Sequence, residues 1–353
     1  MSIKRYFPQV STSKDEGPQK KVKLSESPDL PTLDNELLPL LDLSSPSLSS
    51  HDSITEHFDK IAEHLFQRSY LVCYSTKRDG SPKWVLYEFL EFEFYMIKAG
   101  CHLDPYTHDE AEQRLPGVWY FHRVPRYNGK AAAGYRSGSR KGLDLTIGTP
   151  DTPASSDSSP PIPVRGGILL RSLRRVSDSV VVSGPSLLVD ELLRCSGSPG
   201  ITDLVTEKWF GEISAFRPPS THTSSQIYKS SRIGIDLSNP SSLDRRLQYV
   251  CKPYRFYILP RLLTANGRGQ TFLGVYDHCV DTLQVSKSSL AGKIASLTGL
   301  QPQTVDRYLK AYRDALASGE LEPFIGPSGQ GAASSPVTFL QLVGAWRRRH
   351  LAE

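Results

Sequence analysis

Apolar and polar positions follow three successive patterns along the 353-residue chain. In residues 1–52, Ser, Pro, Asp and Lys dominate and the few apolar positions keep no sustained period, which predicts a disordered tail. Residues 53–285 combine a helical pattern with strand-like runs, and residues 286–353 turn helical. We therefore expect one mixed α+β domain between a disordered N-terminal tail and a helical C-terminal extension.

The central part opens on a helical pattern at Ser53–Gln67, where the apolar residues form one stripe and Ser53 is a candidate cap. The strands that follow are predicted at Tyr70–Ser75, Lys83–Leu90, Glu91–Tyr95, Gly166–Leu173, Ser231–Asp236 and Pro253–Ile258. A short helix is predicted at Pro185–Leu193. The Ser- and Pro-rich segment Pro153–Pro163 is expected to be an exposed loop.

Composition narrows the class of protein. A hydrophobic content of 38% is low for a chain that is ordered throughout, and a net charge of +5 fits a nucleic-acid partner without requiring one. The five cysteines form no CxxC pair, which argues against a zinc ribbon or an iron–sulfur cluster and for a reducing compartment. No apolar run is long enough to span a membrane, and the N-terminus lacks a signal-peptide core. An intracellular, soluble protein with no membrane partner is expected.

The segment Glu91–Tyr95 concentrates carboxylates and aromatic rings within a few positions. Because the side-chain period of a strand is two, Glu91, Glu93 and Tyr95 share one face and the two phenylalanines between them share the other. The phenylalanines are expected to pack into the core, which leaves the acids and the tyrosine facing a cleft or water. Taken alone, the pattern fits a half-exposed strand with solvated acids as well as a catalytic site.

Further motifs accompany this strand in a fixed order, from about residue 83 to about residue 260. The segments are Glu91–Tyr95, Asp104–His108, Leu169–Leu173, Gly184–Leu188, Arg232–Ile235 and Lys252–Tyr257. Together they resemble the alkyladenine (methylpurine, or 3-methyladenine) DNA glycosylases, although no single motif is specific. The resemblance implies a single mixed domain built on a curved, mostly antiparallel β-sheet with flanking helices.

The resemblance also implies hydrolysis of the N-glycosidic bond of an alkylated or deaminated purine. Such enzymes rotate the damaged nucleotide out of the DNA duplex, and a carboxylate then deprotonates the attacking water. The general base falls on Glu93, the arginine that helps to hold the water on Arg171, and the main-chain carbonyl that completes the cage of the water on Ile233. Water is the nucleophile, so a monofunctional glycosylase without a metal or an organic cofactor is expected. Taken alone, Arg171 also fits an arginine that pairs with a surface acid.

The family resemblance also implies which residues stack against the flipped base. Stacking groups fall on Tyr95 and His108, and a third group, aromatic in the family, falls on His122, with Tyr120 as a candidate substitute. A family asparagine that helps to reject normal guanine falls on Asp144. An ionised carboxylate only accepts hydrogen bonds, so the accepted bases are expected to differ from those of the family. Whether Asp144 widens or narrows the selectivity stays open.

The segment Arg123–Lys141 is a basic, glycine-rich insertion at the place where the family carries the aromatic wedge that fills the gap left by the flipped base. Its position beside the predicted pocket favours contact with DNA, and phosphate contacts would make binding fall with salt. A solvated loop is the alternative. The candidate DNA-binding residues are Tyr127, Tyr135, Arg136, Arg140 and Lys141.

The tail carries two candidate motifs. Ile3, Tyr6 and Phe7 have the spacing of the motif that binds the replication sliding clamp, PCNA, although the usual glutamine would fall before Met1. An apolar stretch without a partner is the alternative. Lys20–Lys23 resembles a nuclear localisation signal, with a solvated charge run as the alternative. The apolar and acidic segment Leu33–Leu43 fits a further binding motif or a short packing helix.

The C-terminal part offers a second candidate for DNA contact. Leu290–Ala295, a glycine at position 299 and Gln303–Leu309 resemble a helix-turn-helix, with a plain helical hairpin that covers the sheet as the favoured alternative. The arginines of Arg347–Arg349 fit a phosphate-binding tail or a solvated terminus.

The sequence as a whole predicts a nuclear, monomeric DNA-repair enzyme that acts on double-stranded DNA with a damaged purine. A non-catalytic DNA-binding or scaffold protein on the same fold, recruited to the clamp, is the alternative. An enzyme that acts on another nucleobase-containing substrate is a third interpretation. Glu93 and Arg171 together favour catalysis over a scaffold role.

Overall fold

The computed structural model describes residues 36–76, 79–108, 111–122, 142–149, 163–209, 214–216, 225–239, 242–263, 266–327, 329 and 335–350. Several predicted segments lie outside these ranges. They are the clamp-like motif at residues 3–7, the basic patch at residues 20–23, the DNA-contact segment 123–141 and, apart from Pro163, the loop at residues 153–163.

The ten described strands form one sheet in which every strand pair is antiparallel. They are β1 (Tyr70–Thr76), β2 (Pro82–Lys98), β3 (His102–Leu103), β4 (Trp119–Phe121), β5 (Leu143–Gly148), β6 (Val164–Arg175), β7 (Val181–Ser183), β8 (Ser214–Phe216), β9 (Tyr228–Ser230) and β10 (Arg255–Tyr257). The main order is β4-β5-β6-β2-β1-β8, and β10 pairs with both β2 and β9.

Helices flank this sheet. They are α1 (Leu37–Leu41), α2 (His51–Arg68), α3 (Pro185–Ser196), α4 (Ile201–Asp203), α5 (Leu243–Tyr249), α6 (Arg268–Asp277), α7 (Leu290–Thr298), α8 (Pro302–Ser318) and α9 (Pro336–His350). Short 3₁₀ turns occur at Ala111–Arg114, Pro260–Leu262 and Glu322–Phe324, and π-helical turns at Leu204–Trp209 and His278–Thr282. The predicted α+β class with a mostly antiparallel sheet is thus confirmed. None of the described helices has the length and apolarity that a membrane crossing requires.

Strand β2 organises the sheet. The two strands predicted at Lys83–Leu90 and Glu91–Tyr95 are one 17-residue strand, because no turn-forming residue separates them. The first half of β2 pairs with β1 and its second half with β10, while β6 runs along its other edge. Glu91, Phe92 and Glu93 therefore each have a paired strand residue on both sides.

As predicted, Phe92 and Phe94 of β2 pack into the core, where they lie against α2. The Phe92 ring stacks on Phe66 with centroids 4.5 Å apart, and the Phe94 ring stacks on Phe58 at 4.2 Å. Each fully buried ring of this size contributes about 1.5–3 kcal/mol of hydrophobic stabilisation. Helix α2 begins two residues before the predicted start: Ser50 is the cap, and the predicted cap Ser53 completes a capping box with it.

The ordered chain extends further toward the N-terminus than the predicted boundary at residue 53. Leu37, Leu41 and Leu43 are fully buried, and α1 is the short packing helix that the Leu33–Leu43 segment allowed. The buried Lys98 ammonium donates hydrogen bonds of 2.8 Å to the carbonyls of both Leu43 and Ser45. Residues 36–52 therefore belong to the domain, because their leucines reach an apolar surface and their backbone has polar partners there.

The predicted C-terminal helices form, and they pack into the main core. Leu290, Ile294 and Val305 are buried in the same cluster as the phenylalanines of β2. Helices α7 and α8 join at Gly299, whose φ of +73° gives the left-handed turn of a hairpin. In the last helix, Arg347 pairs with Asp277 at 2.6 Å, so this arginine has an acid partner inside the domain.

The strand predicted at Ser231–Asp236 is wrong. Strand β9 ends at Ser230, and residues 231–236 are irregular. Two features prevent a strand here: Gly234 has a φ of +85°, and the Arg232 side chain is buried beneath the segment. This irregular segment places the backbone of Ile233 beside Glu93.

Candidate active site

A row of paired residues crosses the sheet at the level of Glu93. Tyr120 on β4 pairs with Asp144 on β5, Asp144 pairs with Leu169 on β6, Leu169 pairs with Glu93 on β2, and Glu93 pairs with Arg255 on β10. Residues directly opposite each other in antiparallel strands share a face. Since neighbouring strands lie about 4.8 Å apart, the backbones of Glu93 and Asp144 are about 10 Å apart on that face. Residues from distant parts of the sequence thus converge on one surface of the sheet.

The Glu93 carboxylate lies almost completely buried between two donors. Its Oε2 is 3.2 Å from Nη1 of Arg171, and its Oε1 accepts a 2.7 Å hydrogen bond from the backbone N–H of Ile233. The resemblance had implied a role for the Ile233 carbonyl, whereas the contact that the structure shows is made by the amide. Leu169, the partner of Glu93 on β6, and Ile233 are both half-buried.

Arg171 lies at an irregular point in the pairing of β6 with β2. The register passes from Glu91 paired with Ser172 to Phe92 paired with Leu170, so Arg171 has no partner residue on β2. In a regular strand Arg171 and Ser172 would point to opposite faces, but at this irregularity both contact carboxylates of β2. The irregular pairing thus adds the Ser172 hydroxyl to the face on which Arg171 meets Glu93.

Glu91 anchors the other side of Arg171. Its Oε1 lies 3.3 Å from Nε of Arg171 and accepts a 2.7 Å bond from Nε of Arg255, while its Oε2 accepts a 2.6 Å bond from the Ser172 hydroxyl. Arg255 is fully buried and also donates to Thr271 at 2.9 Å. Sequence reasoning assigned no role to Glu91 or Arg255; for Glu91, its position two residues before Glu93 on the same face was the available signal.

The two neighbouring carboxylates of β2 have opposite pKa shifts. Burial raises the pKa of Glu93 above its ordinary value, because Arg171 and the Ile233 amide offset only part of the loss of solvation. Burial acts on Glu91 in the same direction, but the charges of Arg255 and Arg171 outweigh it and lower the pKa of Glu91. Such a pair suits acid–base chemistry, because one carboxylate stays ionised as a structural anion while the other becomes a stronger base.

The Ile233 backbone is held by its neighbour. The buried Arg232 guanidinium forms a two-pronged pair with Asp104, at 2.7 and 3.1 Å, and donates to the Phe94 carbonyl at 3.2 Å. Its guanidinium carbon also lies 5.3 Å from the Tyr106 ring centroid. Because a buried ion pair with these contacts resists displacement, Asp104 links the Asp104–His108 segment to the irregular chain that carries the Ile233 amide.

A polar cluster fills the face beside the glutamate site. The fully buried Asp144 carboxylate accepts hydrogen bonds from the Tyr95 hydroxyl, from Nε2 of His122 at 2.8 Å and from Gln113 at 3.4 Å. Gln113 also donates to the Tyr95 hydroxyl at 2.5 Å. Sequence reasoning did not find Gln113, which lies in a 3₁₀ turn remote from the motifs. Burial, together with the nearby Asp144, raises the pKa of Tyr95 well above its ordinary value, so this phenol stays protonated.

Aromatic rings adjoin this cluster. The Tyr95 and His108 rings meet edge to face with centroids 5.8 Å apart, and His108 meets His122 at 5.0 Å. Tyr120 lies 5.6 Å from His122. His108 is exposed and His122 half-buried, whereas Tyr95 and Tyr120 are buried. The structure thus brings the candidate base-binding residues together, and His122 and Tyr120 both lie in this group.

Two groups of predicted residues lie outside the described ranges. They are the five candidate DNA contacts between residues 123 and 141 and the clamp-binding candidates. Among the residues that the structure describes, no three His, Cys, Asp or Glu side chains are grouped to hold a metal ion. A cavity of about 390 Å³ lies away from the carboxylates, lined by Trp84, Arg175, Arg194 and Cys195 among others. We place the candidate active site at Glu93 rather than at this cavity, because the converging charged groups lie at Glu93.

These features define a class: an α+β protein whose antiparallel sheet carries a buried glutamate–arginine site beside an aspartate–histidine cluster. No family model matches the sequence. The chain is 31% identical over 209 residues to the uncharacterized protein L759 of Acanthamoeba polyphaga mimivirus, in an alignment that covers 58% of this chain and 86% of the viral protein. The chain therefore belongs to the same family as that viral protein.

Proposed function

We propose that the protein is a DNA base-excision glycosylase that hydrolyses the N-glycosidic bond of alkylated or deaminated purines. The observation that carries the proposal is the Glu93 carboxylate. It is buried, its pKa is raised, and it lies between Arg171 and the Ile233 amide. The rings of Tyr95 and His108 lie on the same face of the sheet, where a flat base would stack.

The proposed reaction uses water as the nucleophile. Glu93 accepts a proton from the water while the water oxygen forms a bond to C1′ of the sugar. The bond between C1′ and the purine nitrogen breaks, and its electron pair leaves with the base. Burial favours this step, because a carboxylate with a raised pKa is a better proton acceptor than an exposed one. Arg171 and the Ile233 amide keep the carboxylate ionised and in position before the reaction.

The substrate is proposed to be double-stranded DNA, from which the enzyme flips the damaged nucleotide. The net charge of +5 is compatible with a polyanionic partner. Within the same proposal, the protein is nuclear and the tail recruits it to the sliding clamp through Ile3, Tyr6 and Phe7. The family resemblance and the tail motifs support these two points.

The test is an excision assay with the purified full chain. Duplexes that carry hypoxanthine, ethenoadenine, 3-methyladenine or 7-methylguanine are incubated with the protein, and abasic-site formation is compared with that in undamaged duplexes. Release of at least one damaged base, with multiple turnovers, is the expected result. Tight binding to all duplexes without release from any would instead support the non-catalytic DNA-binding protein.

A further inference from the structure

The Asp144 carboxylate is enclosed by protein donors. It is fully buried and accepts from the Tyr95 hydroxyl, from Gln113 and, through both of its oxygens, from Nε2 of His122. A carboxylate with this many protein donors and no exposed surface has little capacity left for a ligand. The sequence had placed Asp144 itself against the base, whereas the geometry gives it the role of holding its neighbours.

His122 is the partner of Asp144 that reaches the surface of the cluster. Its side chain is 18% exposed, compared with 0% for Asp144. One side of the imidazole lies against Gly142, where an added Cβ would stand 3.0 Å from Nδ1. The ring also approaches those of His108 and Tyr120. Because the glycine lets the ring sit close to β5, His122 is held between the buried carboxylate and the stacking residues.

The surroundings of His122 favour its charged form. The titratable groups around it in the described part of the chain are Asp144 from β5, Tyr120 from β4, Tyr95 from β2 and His108 from the segment after β3. Burial by itself lowers the pKa of His122, but the charge of Asp144 and its hydrogen bond outweigh this effect and raise the pKa above the ordinary value. The Asp144 carboxylate lies behind the ring, so the imidazole end of the pair faces outward.

We propose that the His122–Asp144 pair presents a positive charge at the wall of the base site and thereby selects neutral damaged purines over purines that alkylation has made cationic. This inference rests on the proposed glycosylase function. Like charges repel most strongly where water is scarce, so a cationic base beside an imidazolium loses binding energy. Hypoxanthine and ethenoadenine carry no charge and escape this penalty, whereas 3-methyladenine in DNA is a cation.

The test compares two substrates in the same enzyme. The ratio of kcat/KM for hypoxanthine to kcat/KM for 3-methyladenine is measured between pH 5.5 and pH 8.5. Taking the ratio cancels the titration of Glu93, which acts on both reactions. In the wild type the ratio is expected to fall as rising pH neutralises His122. In His122→Gln it is expected to be about tenfold lower at low pH and flat across the range. The matched control His278→Gln, which lies outside the site, keeps the wild-type profile.

A second measurement tests the charge of His122 without an activity assay. The His122 imidazole is titrated by NMR, with His122→Gln used to assign its resonance. Its pKa is expected to lie above that of an ordinary histidine and to drop in Asp144→Asn, because the amide carries no charge. A His122 pKa at or below the ordinary value would overturn the inference.

Different results would contradict the glycosylase function and the selectivity inference. Release of bases with a ratio that neither pH nor His122→Gln changes would overturn the selectivity inference and leave the glycosylase function standing. Release of no base from any duplex would overturn both.

Discussion

Arg171 on β6 contacts Glu93 on β2 at a point where the pairing of the two strands is irregular. The Arg171 guanidinium lies 3.2 Å from the Glu93 carboxylate, while Ser172, the next residue, donates to Glu91 on the same face. Two successive residues reach one face only at an irregularity of this kind. The same two strands carry a regular pair, Glu88 with Arg174, which contact each other without a bulge. The chain thus offers a control pair for the candidate catalytic pair Glu93–Arg171.

Glu93→Gln is expected to lower the rate of base release by about a hundredfold or more, because an amide does not accept the proton of the attacking water. Binding to lesion-containing duplex should change little. Single-turnover excision kinetics and a binding titration on the same duplex measure the two effects separately.

Glu88→Gln is the matched control, since it removes the same charge from an arginine pair between the same strands. Its side chain is 25% exposed, so the loss of stability should be small and excision should proceed at the wild-type rate. Equal excision by Glu93→Gln and the wild type would show that Glu93 is not the base.

Gly267→Ala tests whether the position of the Ile233 amide matters. An added Cβ at Gly267 would stand 2.7 Å from Cγ1 of Ile233 and closer still to Cδ1, so Ile233 has to move. Its backbone N–H would then lose its alignment with Glu93. A misplaced catalytic contact of this kind lowers base release, by about tenfold or more. Excision kinetics at saturating enzyme measure the change.

Gly197→Ala provides the comparison for backbone strain. Gly197 has a φ of +73°, close to the +65° of Gly267, but an added Cβ there meets no atom within 4 Å. Gly197→Ala should lose about 1 kcal/mol of stability in urea unfolding, because alanine is strained in the left-handed region, and Gly267→Ala should lose more, because its Cβ also displaces Ile233. Only Gly267→Ala should lose activity. If the two variants excise bases at equal rates, the position of the Ile233 amide does not matter for catalysis.

His102 makes the fold sensitive to acid. The ring is fully buried between the Met96 carbonyl, 2.9 Å from Nδ1, and the Tyr254 hydroxyl, 2.8 Å from Nε2. Burial lowers the pKa of His102 from 6.5 to about 4. Between these values the unfolded chain binds more protons than the folded one, so stability falls as the pH falls from 6.5 toward 4. The shift corresponds to about 3 kcal/mol.

Urea unfolding at pH 7.0, 5.5 and 4.5 measures this dependence. His102→Gln is expected to be less stable at pH 7 but to lose less stability on acidification than the wild type. His278→Gln is the control, since His278 is only half-buried and burial lowers its pKa less. An identical pH slope in the wild type and in His102→Gln would rule out His102 as the acid-sensitive group.

The clamp motif is tested with the full chain. Replacement of Tyr6 and Phe7 by alanine is expected to weaken binding to the sliding clamp by about tenfold or more, because aromatic anchors dominate such contacts. Val10→Ala with Leu24→Ala removes two apolar side chains from the same tail outside the motif and should leave binding unchanged. Titration calorimetry with purified clamp gives both affinities, and unaltered binding after loss of Tyr6 and Phe7 would exclude the motif.

The alternation of side chains in β2 was predictable from the sequence. A period of two placed Phe92 and Phe94 on one face and Glu91, Glu93 and Tyr95 on the other, and the structure confirms this division. The α2 stripe and most strands were predictable for the same reason, because local periodicity reports which side of an element is buried. The strand predicted at Ser231–Asp236 failed because a buried charge, invisible to periodicity, holds that backbone.

What the sequence by itself determined is therefore the local pattern and the chemical inventory: a strand with acids on one face and the arginine and histidines available to meet them. Tertiary structure decided which groups meet. The Arg171 guanidinium on Glu93, the Ile233 amide on Glu93 and the enclosure of Asp144 by Tyr95 and His122 all join residues far apart in the chain. Their contacts depend on strand register and burial, which follow from the packing of the whole sheet and leave no local signal.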